Sequence, residues 1–315
     1  MKIIQFIKDW TLPLAMVTGV ASYFIYANIP FLAPTKHFVE EAVAVVQPML
    51  IFTMLFLTFC KIDFSQLKPC RWNIWLLMIQ GGSFLLLGSL LYFLKDNPIH
   101  ILIESAMLCM ICPTATAAAV VTEKLKGNAA HVTSYTILIN LLVAVLVPLA
   151  VSILFPNETM SFTTSFMTIL GKVFPLLLCP FVCAFLLKHL WPSVHRKLGR
   201  IAHISFYIWA VALTLAIAVT VKSIVHSNVS IWYQIGIAAV ALVTCILQFA
   251  LGKGIGRRYN DTITAGQSLG QKNTVLVIWM GYTFFTPITA VAGGFYSVWH
   301  NIYNSYQLYR QRKGK

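Results

Sequence analysis

Apolar residues run through this chain in blocks of about twenty, separated by short polar segments, and do not alternate with polar ones. A block of that length is what a helix needs to cross a hydrocarbon layer about 30 Å thick. The alternation that marks a membrane β-barrel is missing. The pattern predicts ten spans, at roughly 11–31, 42–60, 73–94, 100–125, 129–155, 163–188, 203–222, 231–252, 262–282 and 284–308. The first block lacks a small-residue cleavage site behind it and reads as a span, not a removable signal.

Two blocks are interrupted. In the fourth, "CMICPTATAAAVV" places Pro113 mid-run, where it removes a backbone donor and clashes with the preceding turn, so the helix breaks near Cys112–Thr116. In the ninth, "AGQSLGQKNTVLV" sets Gly266, Gly270 and the polar residues Gln267, Ser268, Gln271, Lys272 and Asn273 between apolar stretches. Irregular backbone at membrane depth survives only when buried in protein or lining a wet cavity. Each break falls in the fourth span of a five-span half, and an odd number of spans inverts the second half relative to the first. Interrupted helices at matching positions of inverted repeats point to a transporter's midplane site. The expected fold is therefore an all-α membrane protein: ten transmembrane helices in two inverted five-helix repeats, with broken helices four and nine crossing. The second halves would begin around Thr114–Thr116 and Lys272–Thr274. Their N-terminal N–H groups suit a carboxylate or another anion.

Composition agrees: 58% of residues are hydrophobic and 10% charged, against about a quarter charged in soluble domains. The net charge of +14 changes the picture only through its distribution. With the N-terminus inside, eighteen of the 23 Lys and Arg residues fall in inside segments and three outside (Lys36, Lys95, Lys222), while Lys172 and Lys272 lie within spans. That asymmetry predicts a multi-pass protein of the plasma (bacterial inner) membrane with both termini cytoplasmic. Scattered through short loops, the basic residues do not form a nucleic-acid surface. Lys172 is close enough to an outer end to snorkel. Lys272 is not, and an ionisable group at that depth is a functional candidate by default.

None of the nine acidic residues falls near the middle of a span; Glu104, about two turns before the first break, comes nearest and reads as an outer-interface residue. His131 sits on the inner part of span five, where packing is its expected role. The seven cysteines fall in spans or at their inner ends, a distribution unlike a disulfide framework. The pair Cys109 and Cys112 has CxxC spacing, and packing or a soft-metal thiol site are its two readings. No carboxylate pair, metal-binding helix motif or nucleophile–base spacing marks an enzyme, and no cofactor is implied.

Three stretches, "CPTATAAAVVTEKLKGNAAHV", "GQKNT" and "VWHNIYNSYQLYR", resemble segments of the bile acid:sodium symporter family, in matching order across nearly the whole chain. The resemblance implies a panel domain of spans one, two, six and seven (10–61 and 160–225) and a core domain of spans three to five and eight to ten (72–156 and 228–313). It also implies transport by alternating access. Carried over by position, the family's substrate-facing Thr and Asn fall on Thr116 and Asn273, and a Gln of span three on Gln80. Of the first sodium site, oxygen-bearing side chains are replaced by Ala118, Ala119 and Val132, and only Thr136 keeps a hydroxyl. Of the second, the Glu falls on Ser268 and the Gln on Lys272. The scaffold matches and the sodium chemistry does not.

The resulting expectation is a secondary active transporter that moves a small or amphipathic organic anion across the bilayer. Its substrate site would be Thr114, Thr116, Gln271 and Asn273, and its coupling site Gln80, Thr136, Ser268 and Lys272. Lys272 would supply the positive charge that sodium supplies elsewhere, as a fixed ammonium or as a group that trades a proton with each cycle, since burial disfavours the charged form. H+ or Na+ remain the candidate coupling ions. Two alternatives stand beside this: a metalloid or soft-ion efflux carrier using Cys109 and Cys112, and a non-transporting membrane receptor or sensor.

Overall fold

The structure, a computed structural model, describes residues 11–61, 67–94, 96–156 and 160–313. Lys2, Lys8, Asp9, Asp63, Lys95, Glu158 and Lys315, which enter the charge and acid counts above, lie outside these residues, as does the chain's amino terminus.

Among the described residues the fold is helical throughout, without a named strand. In chain order the helices are α1 (Thr11–Asn28), α2 (Lys36–Cys60), α3 (Arg71–Phe93), α4 (His100–Ile111), α5 (Ala118–Lys124), α6 (Ala129–Leu154) and α7 (Phe162–Leu177). There follow α8 (Cys179–Leu190), α9 (Pro192–Ile201), α10 (Ser205–Val225), α11 (Ile231–Arg257), α12 (Thr262–Gly270), α13 (Thr274–Phe284) and α14 (Ala290–Arg312). Five helical stretches are individually long and apolar enough to cross a membrane: Pro30–Cys60, Arg71–Phe93, Ala129–Leu154, Ser205–Val225 and Ile231–Arg257. The pair α7 and α8, bent by 45°, makes a sixth. Pro175 near the end of α7 and Pro180 at the start of α8 account for that bend, since neither can donate to the turn before it. Phe31, Phe93 and Trp232 are among the large apolar side chains left exposed. That surface suits lipid and not water.

Most helix contacts fall in two groups, which the packing of α7 on α6 joins. In one, α1 and α2 lie against α10, and α2 also meets α8. In the other, α3 meets α4 and α6, α11 meets α4, α12 and α14, and α13 meets α14. Within the second group, α11 and α12 approach closely. A Cβ added to Gly252 would lie 2.6 Å from the carbonyl oxygen of Ala265, and one on Gly256 would lie 2.6 Å from that of Asp261. Any side chain at either position would force the two backbones apart.

Both interrupted runs are broken where Pro113 and the Gly-Gln-Lys-Asn cluster predict. The first leaves α4 at Ile111 and resumes at Ala118; the second leaves α12 at Gly270 and resumes at Thr274. Glu104 differs from its expected place at an outer interface. It is buried and accepts hydrogen bonds from the backbone N–H (3.1 Å) and hydroxyl (3.0 Å) of Thr286. A carboxylate can be buried there because Thr286 precedes a 3-10 turn and offers it two donors.

Candidate functional site

The two breaks meet. Thr114 and Lys272 pair as an isolated antiparallel bridge. Ala115 N–H donates to the Gln271 carbonyl (2.8 Å), and Asn273 N–H donates to the Pro113 carbonyl (2.9 Å). The Thr114 hydroxyl adds a bond to the Ser268 carbonyl (2.6 Å). Backbone released from the two helices is thus satisfied by the other break, which is what a low-dielectric interior requires.

Helix ends beside the crossing are closed by side chains from neighbouring helices. Gln80 on α3 donates to the carbonyls of Ile111 (2.9 Å) and Cys112 (2.6 Å), two of the carbonyls that the end of α4 leaves open. Its own carbonyl accepts from the Tyr135 hydroxyl (2.8 Å) on α6. Tyr296 on α14 donates to the Gly270 carbonyl at the end of α12 (2.8 Å), and Gln248 on α11 donates to Tyr296 (3.1 Å) and to the Cys109 carbonyl (3.3 Å). Gln80 came from the family resemblance; Tyr135, Gln248 and Tyr296 were not found from the sequence. A polar side chain within an apolar run was the available signal for Gln248, but nothing local says which carbonyl it faces.

The remaining predicted residues divide by exposure. Lys272 is 1% exposed, and its ammonium has no hydrogen-bond partner among the described residues. Ser268 Oγ and Gln271 Oε1 are also buried without partners, so polar groups unmatched by protein collect at the crossing. The Asn273 side chain accepts from Leu276 N–H (3.3 Å) and caps α13. Thr136 donates its hydroxyl to the Val132 carbonyl (2.9 Å). Lys172, by contrast, is exposed.

Of the predicted substrate residues, Thr116 lines a cavity. A crevice of about 200 Å³ runs between α2 and the α5–α6 hairpin, lined by Leu55, Thr58, Phe59, Lys61, Ala115, Thr116, Glu123, Thr133 and Thr136 among others. It combines apolar walls, several hydroxyls, the ammonium of Lys61 and the carboxylate of Glu123. A larger cavity of about 670 Å³ lies between α1, α2 and α10, with Tyr23, Glu40, Lys222 and Tyr282 on its walls, and contains none of the predicted site residues. Cys109 and Cys112 are buried, with their thiols directed at the backbone carbonyls of Ala292 (4.0 Å) and Asn273 (3.2 Å). All seven cysteines are free.

The chain is similar to known proteins. The pattern of the Sodium Bile acid symporter family matches residues 48–227, which include the first break and the residues of the crevice. Over 253 residues the chain is 26% identical to a Bacillus subtilis (strain 168) protein named "Uncharacterized sodium-dependent transporter YocS", spanning 77% of this chain and 74% of that protein.

Proposed function

Because the chain belongs to the Sodium Bile acid symporter family, we propose that it is a secondary transporter of a small or amphipathic organic anion, in which Lys272 takes the place of sodium. The carrying observation is the position of Thr116. It lines an amphipathic crevice next to the crossing that holds a row of hydroxyls, the ammonium of Lys61 and, farther along, the carboxylate of Glu123. Such a lining fits a molecule with one anionic end and an apolar body. Asn273, Gln271 and Thr114 belong to the same crossing and would complete the site when the crevice extends to it.

The transport reading takes the interrupted pairs α4–α5 and α12–α13 as spans four and nine, and adds α1 and α14 to reach ten. Apart from the packing of α7 on α6, most helix contacts fall within a panel of residues 10–61 with 160–225 or a core of residues 72–156 with 228–313, which supports the two moving against each other in alternating access. Placement in the plasma membrane with cytoplasmic termini rests on the charge asymmetry. In a variant otherwise free of reactive cysteines, single cysteines at exposed Met160 and Ser193 are expected to react from opposite sides of the membrane. Reaction of both from one side would overturn the topology.

Sodium independence is supported by Ala118, Ala119 and Val132, which bring no side-chain oxygen, and by Ser268, which brings no charge. A hard cation placed there would lack its ligands. The soft-ion alternative draws no support from Cys109 and Cys112, whose sulfurs are enclosed.

The function is tested by uptake into liposomes containing the purified protein, with a panel of organic anions and with sodium and pH gradients imposed separately. For an anion that is taken up, Thr116→Val is expected to raise the half-saturating concentration about tenfold, the cost of one hydrogen bond to a charged group. An unchanged value would remove Thr116 from the substrate path. Uptake of none of the panel, with a correctly folded protein, would count against the anion reading.

A further inference from the structure

Away from the crossing, where the connections into α3, α6 and α12 gather, Cys70, His131 and Asp261 converge. One ligand atom from each, the Cys70 sulfur, a His131 ring nitrogen and an Asp261 carboxylate oxygen, lies within 4.8 Å of both others. His131 Nδ1 and Asp261 Oδ2 are 2.9 Å apart.

Three separate segments supply these atoms, and each is held in place. Cys70 immediately precedes α3, and its carbonyl accepts from Asn73 N–H (2.9 Å) in the first turn. His131 lies in the first turn of α6, where Asn128 caps the helix through His131 N–H (3.1 Å). The N–H of Asn128 in turn donates to the Thr264 hydroxyl (3.0 Å) on α12. Asp261 immediately precedes α12, and its N–H donates to the Gly256 carbonyl (2.9 Å) in the tight α11–α12 turn. Asp261 Oδ2 also accepts from the indole N–H of Trp72 (3.1 Å). An outer hydrogen bond of this kind orients a ligating carboxylate.

We propose that Cys70, His131 and Asp261 form a zinc-binding site that draws one ligand from the start of each of α3, α6 and α12 and leaves a fourth position open to water. The donor set decides the metal. Sulfur and imidazole nitrogen beside one carboxylate suit Zn²⁺, whereas Mg²⁺ and Ca²⁺ require oxygen shells. Zinc–ligand bonds of about 2.0–2.3 Å set tetrahedral ligand atoms roughly 3.3–3.8 Å apart. The His131–Asp261 pair would open by about half an ångström and the wider separations would close by about one, within reach of side-chain rotation. His131 and Asp261 are 32% and 17% exposed, so the ion has a path from solvent.

Burial and the neighbouring Asp261 carboxylate push the Cys70 thiol up from its ordinary range, so the metal-free site holds a neutral thiol. On binding, a Zn–S bond forms and the thiol proton leaves to water. His131 joins through Nδ1 in the tautomer that carries its proton on Nε2, any second ring proton leaving to water, and gives up its hydrogen bond to Asp261. No electrons change hands.

Cobalt(II) is the probe of choice, because thiolate ligation gives an intense near-ultraviolet band and a tetrahedral field gives visible bands. Full-length protein, stripped of metal in detergent, is titrated with Co²⁺ and then with Zn²⁺. One equivalent of Co²⁺ is expected to develop both bands, and Zn²⁺ to abolish them. Cys70→Ser should remove the thiolate band. His131→Gln and Asp261→Asn should each weaken Zn²⁺ binding at least tenfold. The double variant Cys179→Ser, Cys183→Ser, which removes two other thiols outside the buried interior, should behave as wild type. Absence of a thiolate band in the wild-type protein, or its survival in Cys70→Ser, would overturn the proposal. The wild-type titration decides the first point without any variant, and neither result depends on whether the protein carries an organic anion.

Discussion

Substrate uptake is expected to continue unchanged when sodium is replaced by choline at fixed ionic strength, and to fall at least tenfold in Lys272→Gln. Lys272 is enclosed at the crossing, and its ammonium has no acceptor among the described residues. A single positive charge so placed interacts strongly with partial charges around it, because little solvent screens it. The carbonyl ends of α4 and α12, which the crossing brings together, carry partial negative charge of this kind. Glutamine keeps most of the volume and removes the charge, so lost uptake in a folded protein would report the charge itself. Strict sodium dependence of the wild-type protein would sink the assignment. Uptake driven by a pH gradient, with that response lost in Lys272→Gln, would identify Lys272 as the proton carrier. Uptake that ignores both gradients would leave it a fixed charge in a uniporter or exchanger.

Gln80→Leu is expected to destabilise the protein more than a typical single substitution. Gln80 satisfies the carbonyls of Ile111 and Cys112 and accepts from Tyr135, all in the interior. Leucine fills a similar space and satisfies none of them. Each buried polar group left without a partner costs about 1–3 kcal/mol, which places the total at about 3 kcal/mol or more. The measurement is the thermal unfolding midpoint in detergent. Gln80→Glu serves as control, because it still accepts from Tyr135 while losing the donor. It should fall measurably, which separates the carbonyl contacts from the tyrosine contact. A midpoint within 1 °C of wild type in Gln80→Leu would show that Gln80 carries no weight in closing the break.

The breaks themselves were legible in the sequence. Pro113 and the run from Gln267 to Asn273 carry local chemistry that no continuous apolar helix tolerates. Their equal rank in the two halves was enough to expect them to meet. Their partners were not legible. That Gln80 faces two carbonyls of α4, or Tyr296 the end of α12, depends on how α3 and α14 are rotated, and an all-round apolar helix does not encode its own rotation. Glu104 was misplaced for a similar reason, since its donors belong to Thr286, 182 residues away. His131 and Asp261 are 130 residues apart and Cys70 lies in a third segment, so no local spacing announces the cluster. Helix count was obscured in the opposite direction. The pieces α4, α5, α12 and α13 come from two long apolar runs, and each piece alone is too short to span.

The bridge between Thr114 and Lys272 also sets an order of assembly. Its two sides are far apart in the chain; the Thr114 hydroxyl bonds to a carbonyl 154 residues later. During synthesis the first break must therefore enter the membrane before its partner exists. The Pro113 carbonyl and the Ala115 amide then lack their final donor and acceptor until the ninth apolar run has been made. Elements that close a long loop are slow to form. The crossing would thus be among the last contacts to lock during biogenesis, and a chain truncated before residue 270 would retain its first break without the segment that completes it.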